Sequence, residues 1–113
     1  MPQILTLTPV APADATLSVA LYGATYRVTG EIAGQRVFWF DMSPTYAVEF
    51  DRVVEAAARG EDASMTAIVW RSGVSSAGGV LTVHGQQPGS PPERVSWTLG
   101  PEAASALQQW IKG

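Results

Sequence analysis

The hydrophobic period of the chain changes at Ser43, and this limits the open folds more than any other feature. Before it, Leu17, Val19 and Leu21 alternate with Thr16, Ser18 and Ala20. After a turn at Gly23-Ala24, Tyr26, Val28 and Ile32 alternate with Thr25, Arg27, Thr29 and Glu31. A period of two is the mark of half-buried strands. Ala33-Gly34-Gln35 leads into a third strand, RVFWFDM, and strands joined by such short turns read as an antiparallel meander. From residue 44 to 59 the period becomes helical, with Tyr46, Phe50, Val53, Val54 and Ala57 on one apolar face. Ser43 can cap this helix, Pro44 suits its first position, and Gly60 sits where a C-terminal cap belongs. Glu49, Arg52, Glu55 and Arg59 lie on the opposite side at spacings that allow weak ion pairs.

A second set of elements follows. Residues 64–71 (SMTAIVWR) read as a strand, SGVSSAGG as a flexible connection, and VLTVH as the next strand. GQQPGSPP is a loop, and RVSWTL is a strand with Val95, Trp97 and Leu99 on one face. Pro101 opens a last helix on which Ala103, Leu107, Trp110 and Ile111 share a face, with Glu102 and Lys112 placed to complement its dipole. Residues 1–13, with Pro9 and Pro12, read as an extended arm or an edge strand. A Val-x-Trp before each helix-opening proline (Val37 and Trp39; Val95 and Trp97) suggests a weak repeat of 15–60 and 61–113, its spacings differing by one residue. The expectation is one α+β domain over 1–113, an antiparallel sheet of about six strands in the order βββα-βββα with two helices packed on one face.

Composition removes several function classes. The 113 residues carry a net charge of −3, which argues against a general nucleic-acid binder. Residues 1–60 hold six acids and four bases, residues 61–113 four acids and three bases, so neither half is basic. There is no cysteine, which excludes disulfides, zinc-thiolate sites and cysteine nucleophiles. No apolar run approaches the ~18 residues of a membrane span. The opening MPQILTLTPV has no basic n-region, so a cytoplasmic protein is expected.

His84 is the one histidine, and serines 72, 75 and 76 lie in the preceding glycine-rich stretch, but no G-x-S-x-G accompanies them. Asp41, Glu49, Asp51 and Glu55 read as a solvated face rather than a metal site. The expectation is therefore a protein that is not an enzyme and has no cofactor and no metal.

The strand RVFWFDM has no polar face. If Trp39 corresponds to Trp97 and faces the helices, Phe38, Phe40 and Met42 lie on the uncovered side. Together with Arg36 and Trp70 they form an expected partner-binding surface, for another protein or a second copy in a dimer. Arg36 and Arg71 among Phe38, Trp39, Phe40 and Trp70 also give the one hint of a single-stranded nucleic-acid platform.

The helix ending in Ala-Arg-Gly-Glu (58–61), the strands at Met65–Arg71 and Gly79–Gly85, and the closing Val-x-Trp-x-Leu carry a family likeness. In these features the chain resembles small bacterial immunity-type proteins, such as those paired with WapI-like contact-dependent toxins. The resemblance implies a non-enzymatic protein that neutralises a toxin by binding it, and an acidic chain suits a basic partner. A phage anti-defence inhibitor shares the same profile. The expected function is therefore protein-protein inhibition. The alternatives are a self-associating structural protein, such as a phage virion component, and a single-strand binder on a duplicated sheet.

Overall fold

A computed structural model describes residues 3–65, 73–87 and 93–112. Strands β1 (Gln3–Leu7), β2 (Ala15–Tyr22), β3 (Thr25–Ile32) and β4 (Gln35–Met42) precede helix α1 (Pro44–Arg59). Strands β5 (Ala63–Met65), β6 (Gly73–Ala77), β7 (Val80–Gln87) and β8 (Glu93–Leu99) precede helix α2 (Pro101–Lys112). Each set forms its own four-stranded antiparallel sheet with its strands in sequence order.

The single sheet of six strands in a βββα-βββα order is thereby corrected to two sheets in the order ββββα-ββββα. The arm supplies β1, which pairs with β2 from Gln3↔Leu21 to Leu7↔Leu17 and so takes the edge position that its flanking prolines permit. The stretch taken as a flexible connection supplies β6. Val74 and Ser76 of β6 are buried, and Gly78 and Gly79 turn the chain into β7 with φ of 59° and 87°. Two residues with positive φ make the turn that matches strand twist, and glycine reaches that region without a Cβ penalty. Residues 66–72 and 88–92, including much of SMTAIVWR and of the proline-rich loop, lie outside the described residues.

Helix α1 ends as its sequence requires. Gly60 takes φ 77°, its N–H donates to the Ala57 carbonyl, and Glu61 N–H donates to the Ala56 carbonyl. Ser43 holds the N-cap position without a side-chain hydrogen bond. The inner faces of both sheets and the apolar faces of both helices meet in one hydrophobic cluster that includes Val28, Phe40, Phe50, Val54, Val83, Trp97 and Leu107. Beyond α2, α1 packs chiefly on β5 and β6 of the second sheet, while α2 touches β1, β7 and β8. Val10 and Ala11 exchange backbone hydrogen bonds with Thr98 of β8 at 2.7 and 2.8 Å, which fastens the start of the chain to the second sheet.

The sheets approach each other at β4 and β7, around Phe38. Its ring lies between two glycines. A Cβ at Gly30 of β3 would sit 2.2 Å from the ring and one at Gly85 of β7 2.3 Å from it. The Trp97 ring meets Phe38 edge-on, with centroids 4.8 Å apart.

Candidate nucleic-acid interface

Which way β4 faces decides where the exposed chemistry lies. Phe38, Phe40 and Met42 are core residues with exposures of 5%, 2% and 0%, so the expected partner surface built on them is corrected. The error is one of register. Both helices begin at a proline, and counting back from Pro44 and Pro101 matches Phe40 to Trp97 and Met42 to Leu99. The Val-x-Trp pairing is off by one, and a one-residue slip sends every side chain to the opposite face. Trp39 therefore corresponds to Ser96 and points outward, 46% exposed. Val37 is the extra residue of a bulge, where the pairing steps from Gly30↔Phe38 to Glu31↔Arg36, and it is half-buried against the core.

The outer face of the first sheet can be read from its register. One row runs Thr6, Ser18, Thr29, Trp39, and the next runs Ile4, Ala20, Arg27, Asp41. Tyr22 lies diagonal to Arg27, within reach of a long side chain. The Arg27 guanidinium carbon is 4.6 Å from the Trp39 ring centroid and 5.6 Å from that of Tyr22. Both distances fall within cation–π range. Asp41 accepts two hydrogen bonds from the same guanidinium, from Nε at 2.7 Å and from Nη2 at 3.1 Å. These bonds, first among the causes, raise the Arg27 pKa above its ordinary value. Arg36 lies 6.0 Å from the Trp39 centroid on the same face and makes no ion pair among the described residues. The result is a diagonal of aromatic and guanidinium groups on a face otherwise rich in hydroxyls.

Arg36 belongs to this face as one of the expected site residues, whereas Trp70 and Arg71 lie outside the described residues. Tyr22 and Arg27 were missed. The signal for both was strand parity, because Tyr22 falls in the set of Thr16 and Ser18, and Arg27 in that of Thr29.

His84 lies half-buried on the outer side of the second sheet, its Nε2 2.6 Å from where a Cβ on Gly73 would stand. Ser76 is buried, and its hydroxyl donates to the Glu61 carbonyl at 2.8 Å, a structural use of that side chain. Ser72 is outside the described residues.

Of the carboxylates, Asp41 holds Arg27, and Glu55 pairs with Arg59 one helical turn on. Asp51 departs from the solvated reading. Its Oδ1 is buried with no hydrogen-bond partner among the described residues, and desolvation raises its pKa. Tyr26 is raised by burial first and by Asp51 second, and its ring packs 5.8 Å from Phe50 and 6.0 Å from Trp110.

A carboxyl raised on folding favours the protonated fold. Its contribution is fully present below the unfolded carboxylate pKa of ~3.9 and is lost as pH rises through the higher folded value. Asp51→Asn is expected to stabilise the protein by a few tenths to about 1 kcal/mol at neutral pH, since the group is partly solvated. Denaturant melts across pH should show that gain vanishing near pH ~3.

No family model matches the chain, and no curated protein matches it. Among solved structures it is similar to the one described as crystal structures of Trypanosoma bruciei MRP1/MRP2, with a TM-score of 0.69 at 14% identity. The alignment covers 99% of this chain and 83% of that one. The likeness is one of fold. It takes in both sheets and both helices, and at that identity it carries no residue roles across. Among the described residues no helix is long and apolar enough to cross a membrane.

Proposed function

We propose that the protein is a non-enzymatic binding module that takes a single strand of nucleic acid on the outer face of its first sheet. The diagonal of Tyr22, Arg27 and Trp39 supports this reading, with Arg36 beside it. Single strands without strong sequence preference are held by aromatic rings on which bases stack, interleaved with cations, and a sheet face sets such groups at regular spacing. Threonine and serine hydroxyls along Thr6, Ser18 and Thr29 add hydrogen-bonding groups for sugar and phosphate oxygens.

The test is fluorescence anisotropy with labelled single-stranded oligonucleotides against a duplex of the same length. The wild-type protein should prefer the single strand. Trp39→Ala should weaken binding by about 5- to 150-fold, as expected for the loss of ~1–3 kcal/mol of base stacking. Absence of single-strand binding, or an unaffected Trp39→Ala, would overturn the reading.

A protein partner is the second reading, and it keeps the inhibitor expectation open on a different surface from the one first inferred. Exposed Trp, Tyr and Arg together are also the residues that anchor protein interfaces. Ile4, 59% exposed on the edge strand, extends the same face. Light scattering over a concentration series distinguishes a second copy, and a dimer that Trp39→Ala dissociates would favour this reading.

A further inference from the structure

We propose that Asp41 is a positioning residue for the single-strand site, holding Arg27 as a stacking surface and leaving Arg36 as the cation that meets phosphate. The inference rests on the binding reading above and deepens it. Three observations carry it. The Arg27 guanidinium is fixed at two points by one carboxylate, which leaves it little freedom to turn toward a phosphate. It lies over two aromatic rings contributed by the neighbouring strands β2 and β4, so it lengthens the flat surface that a base can meet. A planar guanidinium stacks in this way, whereas an ammonium does not. The charges of the face also balance, Arg27 and Arg36 against Glu31 and Asp41. A polyanion gains little long-range attraction from such a face, and stacking must supply most of the affinity. The substrate class this fits is a short unpaired strand with unstacked, accessible bases, either DNA or RNA.

Salt dependence separates the two uses of an arginine, because each phosphate neutralised on a single strand adds about −0.7 to the slope of log affinity against log salt. The experiment is anisotropy of labelled oligothymidine and oligouridine of about 12 nucleotides, titrated at several salt concentrations. Wild-type protein should show a slope of about −0.7, the signature of Arg36 alone. Arg27→Lys keeps the charge but removes the plane, and should weaken binding by about 10-fold with the slope unchanged. Asp41→Asn releases the guanidinium charge, and the slope should steepen toward about −1.4.

A wild-type slope already near −1.4 that Asp41→Asn leaves in place would overturn the inference and leave the binding reading standing. So would full affinity in Arg27→Lys. Binding of neither oligonucleotide would instead overturn the binding reading, and the inference with it.

Discussion

Gly85→Ala is expected to lower the thermal midpoint by about 10–20 °C, corresponding to ~2–3 kcal/mol of overpacking in a domain of this size. The reason lies in what the new methyl group would meet. Its contacts would be Cδ2, Cγ and Cε2 of Phe38, at 2.3, 2.6 and 2.8 Å, close to the root of the side chain rather than at a flexible end. The ring cannot swing away, because its other side lies on Gly30, where a Cβ would stand 2.2 Å from Cε1. Trp97 closes a third side at 4.8 Å between centroids. Gly30→Ala should therefore be about as costly as Gly85→Ala. Combining Gly85→Ala with Phe38→Leu should cost less than the sum of the two single changes, by about 1 kcal/mol or more, since the smaller side chain relieves the clash. Thermal melts by circular dichroism read all three, and strict additivity would show that the glycines are not there to admit the ring.

Adjacent residues of β4 should respond in opposite ways. Phe40→Ala is expected to cost about 3–5 kcal/mol of stability, the usual range for emptying a buried aromatic site. Phe40 is 2% exposed and stacks at 6.0 Å on Phe38, so little can collapse into the vacancy. Trp39→Ala should cost under about 1 kcal/mol, the worth of its exposed contact with Arg27, and show its effect in binding instead. Denaturant titrations of the two variants decide the register of the strand. Equal losses would contradict the inward turn of Phe38, Phe40 and Met42.

The elements that could be read from the sequence are those whose residues obey one strong local rule. Helix α1 matches its sequence-based limits of 44 and 59, because a proline, an apolar stripe and a glycine define its start, face and end. The meander of β2, β3 and β4 follows from alternation and two-residue turns. Strand β6 was hidden because GVSSA is small and polar, and the burial of Ser76 depends on a distant acceptor, the Glu61 carbonyl. The division into two sheets depends on which strands hydrogen-bond, a long-range choice that no local pattern encodes.

The candidate site was legible in part. Arg36 and the aromatic character of RVFWFDM were visible, but matching Trp39 to Trp97 rather than to Ser96 turned the strand inside out. Two helix-opening prolines gave the right alignment, and they are better landmarks than a shared Val-x-Trp, because they fix where each strand must stop.

The placing of the helices has a consequence for how the molecule comes apart. Helix α1 touches β3 and β4 but chiefly covers β5 and β6 of the second sheet, and α2, while it packs on β7 and β8 of its own half, also reaches β1 of the first sheet. Each half thus contributes part of the shelter that the other half's core requires, and the link from Val10 and Ala11 to Thr98 adds a third crossing. Neither half is expected to open as a foldon in its own right. Amide exchange of the deepest strands in both halves should therefore converge on one global opening, and a nick between the halves would leave two fragments that depend on each other for order.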